Sequence, residues 1–204
     1  PAQGAEALIQ VGKRLYETGL NRGTDGNFSL RTGENAVLAT CSGCEKGFLT
    51  PEDLVLLDLD GRVLSGRGRP SSEIKLHLRL YQANPRAMAA VHAHPVHATA
   101  LASAGLDMVR PLLPPVVMQL GPVHTAPYAL PGSDALADSI LPFCQKSNAV
   151  LLANHGALTW GTTAEQALTR METLEQCAAI YLAALAAGTP QYFSPAEEAA
   201  LHAR

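Results

Sequence analysis

Apolar positions along the chain follow two spacings, one helical and one typical of strands. Leu8, Val11 and Leu15 recur every three to four residues, which predicts an amphipathic helix over residues 5–18. Proline, serine and glycine at segment boundaries predict further helices. These helices cover residues 70–83, 95–102, 133–143, 164–187 and 195–203.

Short apolar runs bounded by turn residues predict β-strands between these helices. The strands cover residues 27–31, 36–40, 54–59, 62–64, 88–92, 149–153 and 157–160, with an extended segment at 123–127. Asp60 and Gly61 form a hairpin signal between two of them. Because helices are interspersed among short strands without a linker, we expect an α/β fold with α/β/α layers in a single domain, residues 1–204.

The overall charge gives no electrostatic reason to expect nucleic acid or an anionic membrane as a partner. The chain carries 15 basic and 18 acidic residues, a formal net charge of -3. No apolar run reaches the roughly 18 residues that a membrane-spanning helix needs. Residues 1–10 lack the basic-then-apolar layout of a secretory signal, so we expect a cytoplasmic location.

The four cysteines do not predict a functional centre. Cys41 and Cys44 have the spacing of half a zinc ribbon or of a redox pair. A structural zinc site needs a second such pair, which the sequence lacks. Cys144 and Cys177 stand in apolar surroundings, and we interpret them as core residues.

Three histidines at two strand ends predict a metal site. His92 and His94 are two residues apart on a predicted strand, so both imidazoles point to the same face. His155 follows a second apolar strand and precedes Gly156, which lets the backbone turn. Either feature alone is often coincidence, but together they give three ligands and an open fourth position, as in catalytic zinc sites. His97 is expected to orient or line the site.

Glu73 adds a carboxylate to this set. It follows Pro70, Ser71 and Ser72 at a predicted helix start, where the helix dipole favours an acid in any case. Beside a dication, the same carboxylate could bind the metal in the resting state and act as a base when substrate displaces it.

Three segments rich in small hydrogen-bond donors are candidates for an anion site. They are Gly26-Asn27, Ser42-Gly43 and Ser71-Ser72, the last at a predicted helix N-terminus with free N–H groups. Each alone is only a turn or a cap. The sequence contains neither a Walker A motif nor a G-x-G-x-x-G fingerprint, so nucleotide binding has no support.

Taken in order, these motifs resemble the class II aldolase/adducin family, and the resemblance extends over roughly residues 5–185. The motifs are Gly26-Asn27-Phe28-Ser29, Ser42-Gly43, Ser71-Ser72-Glu73, His92-Ala93-His94, Ala126-Pro127-Tyr128 and Asn154-His155-Gly156. The ordered set is specific to the family, although no single motif is.

The resemblance implies a site and an assembly. It implies Zn²⁺, with Mn²⁺ or Co²⁺ as alternatives, and a mostly antiparallel central sheet in a homotetramer. It implies Glu73 as the acid/base group and a fourth metal ligand. The implied metal ligands are His92, His94 and His155, and the implied phosphate-binding residues are Asn27, Ser42, Gly43, Ser71 and Ser72.

The resemblance leaves three alternatives for the function, of which the first two are lyase reactions on a small phosphorylated substrate. The first is aldol cleavage of a keto sugar phosphate, as in fuculose-type aldolases, which gives dihydroxyacetone phosphate and an aldehyde. The second is decarboxylation of a 3-oxo-tetronate 4-phosphate through the same metal-stabilised enediolate, because residues 116–132 are similar to those decarboxylases. The third is a non-catalytic interaction domain, as in adducin.

One departure from the fuculose-type aldolases bears on this choice. Those enzymes place a proton-donating tyrosine after the helix that follows the two histidines, whereas residues 109–118 contain none. Tyr128, Tyr181, Tyr192 and the C-terminal tail are alternative donors, either from the same chain or from a neighbouring subunit. Glu73 also differs from the aspartate expected in the epimerase branch of the family.

Overall fold

An eight-stranded β-sheet organises the chain in the computed structural model, which describes residues 2–203. The strands are β1 (Asn27–Gly33), β2 (Ala36–Thr40), β3 (Leu54–Leu57), β4 (Val63–Ser65), β5 (Ala89–Ala93), β6 (Thr125–Ala126), β7 (Ala149–Leu152) and β8 (Gly156–Gly161). Their order is β4-β3-β2-β1-β5-β8-β7-β6, and all neighbours are antiparallel except β6 and β7. The predicted mostly antiparallel sheet is therefore confirmed.

Helices cover both faces of this sheet. They are α1 (Ala2–Glu17), α2 (Ile74–Ala83), α3 (Val96–Ser103), α4 (Asp134–Ser139), α5 (Ala164–Ala187) and α6 (Pro195–His202). Side chains of α1, α3 and α5 form one hydrophobic core, and those of α2 and α4 form a second core on the opposite face. The α/β/α layering predicted from the sequence is confirmed, whereas the single-domain organisation stays a prediction.

Successive side chains of β5 point to opposite faces of the sheet and therefore pack against different helical layers. Val91 and Ala93 belong to the core under α1, α3 and α5, and Ala90 belongs to the core under α2. Side chains two apart on a strand share a face, so His92 lies on the side of α2. This parity brings the strand histidine towards the start of α2.

The register of the central strands brings two distant segments to one end of the sheet. His92 pairs with Asn27 of β1 on one side and with Leu158 of β8 on the other. The last residue of β7, Leu152, pairs with the first residue of β8, Gly156, so residues 153–155 form the tight turn between the two strands. The turn that carries His155 therefore lies beside the end of β5.

Several boundaries differ from the predicted ones for local reasons. The helix expected at 133–143 ends at Ser139, and Pro142 disfavours helical backbone in the residue before it. The strand expected at 54–59 ends at Leu57, because the Asp58 side chain accepts hydrogen bonds from the Asp60 and Arg62 amides. Residues 116–120 form a π-helical turn, which the sequence did not predict.

Six α-helices lie within residues 2–203. None of them combines the length and hydropathy needed to cross a membrane.

Candidate metal centre

Four side chains converge where β5 ends, where α2 begins and where β7 turns into β8. They belong to Glu73, His92, His94 and His155, and one ligand atom from each lies within 4.8 Å of all the others. Glu73 stands immediately before the first residue of α2, so the predicted position inside the first turn is off by one residue. The structure thus brings together the four residues that were predicted as metal ligands.

The distances between these donors match those around a small divalent ion. His92 Nε2 lies 3.2 Å from His94 Nε2 and 3.2 Å from Glu73 Oε2, and His155 Nε2 lies 3.1 Å from Glu73 Oε1. Zinc bonds of about 2.0–2.1 Å at the tetrahedral angle place neighbouring donors about 3.3 Å apart. These three distances are close to those between neighbouring donors around one small divalent ion.

An unpartnered carboxylate oxygen points to the same conclusion. The Glu73 side chain is only 11% exposed, and its Oε1 makes no hydrogen bond within the described chain, although His155 Nε2 is close. A buried charged oxygen without a hydrogen bond is costly unless a cation compensates it. The group fits a divalent metal ion and could hold one.

Burial prepares the protonation states that metal binding needs. Burial, reinforced by the neighbouring His92 and His155, lowers the pKa of His94 to about 4. Burial alone would raise the pKa of Glu73, but the adjacent imidazoles of His155 and His92 outweigh it and hold this pKa far below its usual range. A neutral imidazole and an ionised carboxylate are the metal-binding forms.

Backbone contacts fix the orientation of the strand histidine. His92 is fully buried, and its Nδ1 lies 2.9 Å from the Ala157 carbonyl oxygen on β8. Donation from Nδ1 to that carbonyl leaves Nε2 unprotonated and directed at the other donors.

The turn that carries His155 depends on its two neighbours. Asn154 adopts the left-handed conformation with a φ of 54°, which asparagine tolerates better than most residues. A Cβ on Gly156 would lie 2.6 Å from both the Ala93 carbonyl oxygen and His94 Cδ2. Glycine at this position therefore lets the turn pack against the end of β5.

His97 has a role near the site but is not part of the four-residue group. Its Nδ1 lies 2.8 Å from Glu175 Oε1, and the Glu175 carboxylate also accepts the backbone amides of His97 and Ala98. Glu175 on α5 thus caps the start of α3, which begins two residues after His94. Sequence reasoning missed Glu175, because a cap supplied by another helix has no local motif.

The predicted phosphate-binding residues lie in two connected places. Asn27 Nδ2 donates to Glu73 Oε2 at 3.4 Å, and Ser71 Oγ accepts the Glu73 amide at 3.3 Å. Ser42 and Gly43 are exposed in the turn after β2, where the Ser42 amide donates to the carbonyl of Arg69. That bond connects their turn to the segment of Ser71 and Ser72, which leads into Glu73.

A buried polar network behind Glu73 was not predicted. His77, one helical turn after Glu73, lies with its Nδ1 2.7 Å from Ser29 Oγ, which is 2.7 Å from the Tyr81 hydroxyl. Burial lowers the pKa of His77 to about 3, so its imidazole is neutral. The four-residue spacing between Glu73 and His77 was a sequence signal for a shared helix face.

Cys144 and Cys177 belong to the hydrophobic cores, as predicted. All four cysteines are free, and Cys41, Cys144 and Cys177 are buried. Cys44 Sγ donates to the Cys41 carbonyl at 3.0 Å.

Comparison with known proteins places this geometry in a family. Residues 6–182 match the sequence profile of the Class II Aldolase and Adducin N-terminal domain. The chain belongs to the class II aldolase and adducin family. The resemblance inferred from the ordered motifs is thereby confirmed.

Members of the family with assigned activities show what the chain is similar to. It is 37% identical over 180 residues to a 3-oxo-tetronate 4-phosphate decarboxylase of Haemophilus influenzae, covering 86% of the chain and 85% of the relative. It is 37% identical over 188 residues to a 5-deoxy-D-ribulose 1-phosphate aldolase of Bacillus thuringiensis, covering 91% and 87%. Both relatives are lyases, the enzyme class predicted from the sequence.

A solved structure supports the same assignment of fold. An L-fuculose 1-phosphate aldolase matches with a TM-score of 0.93 at 33% identity, covering 98% of this chain and 95% of that protein. The class II aldolase architecture predicted from the sequence is thus confirmed.

Proposed function

We propose that this chain is a zinc-dependent carbon–carbon lyase that acts on a small phosphorylated keto sugar or sugar acid. The observation that carries the proposal is the convergence of three imidazoles and one carboxylate within 4.8 Å. Three histidines leave a fourth position for substrate, which distinguishes a catalytic zinc site from a structural one. Zinc suits an imidazole-rich set, and Mn²⁺ or Co²⁺ are alternative ions.

The phosphate is proposed to bind where small donors surround Glu73. Hydrogen bonds connect Asn27 and Ser71 to Glu73, and the turn of Ser42 and Gly43 connects to the same segment through Arg69. Donors fixed by backbone contacts would orient a substrate through its phosphate, away from the reacting carbons. We assign Ser72 to the same cradle, since it is exposed and precedes Glu73.

Glu73 is proposed to move the proton in the reaction. A bound divalent ion would supply Lewis-acid stabilisation of negative charge on substrate oxygens. The Glu73 carboxylate is ionised and carries an oxygen without a hydrogen bond, so it can accept a proton at that atom. Asn27 donates to its other oxygen and would hold the carboxylate in place during the transfer.

Aldol cleavage is the first candidate reaction, and it needs a second proton-transfer group for the leaving aldehyde. The Tyr181 hydroxyl already bonds to the Arg110 carbonyl and the Leu112 amide, which engages it in holding that loop. Tyr128 is 59% exposed on the loop that leads to Gly132, and Gly132 packs against the Ser72 carbonyl. Of these two tyrosines of the chain, Tyr128 is the better placed.

Decarboxylation is the second candidate, and the absence of a tyrosine at 109–118 favours it. Loss of CO₂ leaves no aldehyde oxygen, so a single proton donor to carbon completes the reaction. Glu73 could fill that role alone by passing a proton from solvent to this carbon. The similarity to the Haemophilus influenzae decarboxylase supports this alternative.

Product analysis of the zinc-loaded protein tests the proposal. Release of dihydroxyacetone phosphate from L-fuculose 1-phosphate or 5-deoxy-D-ribulose 1-phosphate would establish aldol cleavage. Release of CO₂ from a 3-oxo-tetronate 4-phosphate would establish decarboxylation. Either activity should disappear with EDTA and return with Zn²⁺.

The non-catalytic alternative predicts a different result. A protein that binds no stoichiometric metal and turns over none of these substrates would be an interaction domain of the adducin kind. We further propose a cytoplasmic homotetramer, and light scattering of the purified chain would measure its mass in solution.

A further inference from the structure

A buried lysine lies beside the proposed phosphate site. Lys46 is only 2% exposed, and its Nζ donates to the carbonyls of Thr24, Cys44 and Cys41 at 3.0, 2.9 and 3.5 Å. An ammonium has three N–H donors, and backbone carbonyls take all three. Within residues 2–203, no carboxylate oxygen lies within 4.0 Å of Lys46 Nζ, so its direct partners are these carbonyl dipoles.

These carbonyls belong to two loops that are distant in sequence. We call residues 21–26 the Asn21 loop and residues 41–45 the Ser42 loop. The Lys46 amide also donates to the Gly23 carbonyl at 3.0 Å, so the residue holds the Asn21 loop through both its backbone and its side chain. Lys46 therefore cross-links the two loops from the inside.

Both loops reach the proposed active site. In the Asn21 loop, Asp25 Oδ2 lies 3.8 Å from His94 Nδ1, and a Cβ on Gly26 would lie 2.6 Å from the His92 carbonyl oxygen. In the Ser42 loop, the Ser42 amide donates to the Arg69 carbonyl, and Cys41 pairs with Pro70, shortly before Ser71. The two loops and the segment before Glu73 thus border one site.

The contact of Lys46 with the Cys44 carbonyl also decides where one backbone amide of the Ser42 loop points. The Cys44 carbonyl faces Lys46, so the N–H of Glu45 in the same planar peptide points the opposite way. Within the described chain, the amides of Gly43, Cys44 and Glu45 make no hydrogen bond. Successive free amides with a positive charge behind them form an anion-binding surface.

We infer that Lys46 is a positioning residue for the substrate phosphate, an inference that rests on the proposed function. Lys46 fixes the two loops so that the amides of the Ser42 loop face the anion, and its buried charge strengthens the attraction. Because backbone carbonyls engage the three Nζ donors of Lys46, we expect it to contribute to phosphate affinity and not to bond cleavage.

Binding of inorganic phosphate tests this role without any turnover. The zinc-loaded chain would be titrated calorimetrically at about 20 mM and about 200 mM NaCl, because screening separates charge effects from contact effects. We expect Lys46→Met to weaken phosphate binding at least about tenfold at low salt and to reduce its salt dependence. Lys13→Met, which removes an exposed lysine of α1, is the matched control and should bind phosphate as the wild type does.

Two further measurements keep the result interpretable. Zinc content near one ion per chain in Lys46→Met would show that the metal centre is intact. If this variant does not fold, Lys46→Gln retains two N–H donors without the charge and should also bind phosphate more weakly. Wild-type phosphate affinity in a folded Lys46 variant would overturn the inference, as would a wild-type chain that binds no phosphate.

Failure of the proposed function would look different. If the wild type turns over none of the phosphorylated substrates but Lys46→Met binds phosphate more weakly, the inference about Lys46 stands and the lyase proposal is wrong. If the wild type turns over a phosphorylated substrate and Lys46→Met does so with an unchanged KM, the lyase proposal stands and the inference about Lys46 is wrong.

Discussion

At the scale of single residues, Glu73 is the group on which the proposed chemistry depends. In Glu73→Gln the shape and the hydrogen bond from Asn27 can persist, but the group that accepts the proton is lost. We expect kcat to fall at least about 100-fold. Zinc content should stay near that of the wild type, because the three imidazoles remain.

The control for this substitution is Glu165→Gln, which changes an exposed carboxylate at the start of α5. It should leave kcat and zinc content unchanged. Turnover of Glu73→Gln at the wild-type rate would remove Glu73 from the mechanism.

His77 provides a test of the buried network behind the site. Its pKa is lowered by burial to about 3 from an ordinary 6.5, so the unfolded chain binds a proton more readily than the folded one. This difference makes the folded state less stable as pH falls from about 6.5 towards 3. At pH 5 the cost attributable to His77 is about 2 kcal/mol.

The comparison of wild type with His77→Gln isolates this contribution, because the two proteins differ in this one titratable group. Urea unfolding of the metal-free proteins at pH 7.5 and pH 5 would measure it. We expect the wild type to lose about 2 kcal/mol more than His77→Gln over this interval. Equal losses would contradict a neutral, buried imidazole at this position.

The residue types explain which parts of the site were predictable. The metal ligands were predictable because each signal lies within a few residues of sequence. Two histidines are two residues apart on a strand, and a third precedes a glycine. Lys46 and Glu175 carry no such signal, because their partners are backbone carbonyls and amides of distant segments. Their roles depend on the packing of loops and helices, which a local pattern does not contain.

At the scale of elements, the predictions succeeded where the burial pattern was regular. The predicted bounds of α5 agree with the structure at both ends, because Thr163 caps its start and Gly188 follows its last residue. The serines at 71 and 72 did not cap α2, since the chain makes a turn before the helix begins at Ile74. Glu73 therefore stands immediately before the helix, and its side chain makes no capping hydrogen bond.

The Asn21 loop gives a prediction at this scale. Gly26 has a φ of +70°, and a Cβ there would lie 2.6 Å from the His92 carbonyl oxygen and 2.7 Å from Asn21 Oδ1. Gly26→Ala therefore adds a steric clash to the backbone strain, and we expect a loss of about 2–4 kcal/mol in the free energy of unfolding. Because the clash falls on the backbone of His92, zinc affinity should drop as well.

Gly23→Ala is the matched control in the same loop. Its φ is +54°, but no atom lies within 4 Å of an added Cβ, so only the backbone strain of about 1 kcal/mol applies. Urea unfolding and zinc titration of both variants would measure the difference. Equal losses in the two variants would show that the close approach of the Asn21 loop to β5 is unimportant.

At the scale of the whole molecule, the proposed metal site connects segments that the chain keeps far apart. Glu73 precedes α2 on one face of the sheet, and His155 lies in the turn between β7 and β8. His92 lies in β5, and His94 follows the last residue of that strand. None of the contacts among these segments is local in sequence. An ion bound at this point would therefore stabilise the folded chain and have little affinity for the unfolded one.

Zinc-dependent stability follows from this arrangement. Free Zn²⁺ at about 1,000 times its dissociation constant should add about 4 kcal/mol to the free energy of unfolding. For a chain of this size that corresponds to a rise in Tm of about 8–16 °C. His155→Ala should abolish the rise, whereas His202→Ala, at an exposed position on α6, should retain it. Thermal unfolding with EDTA and with added Zn²⁺ would measure both variants, and a rise that persists without His155 would exclude this histidine as a ligand.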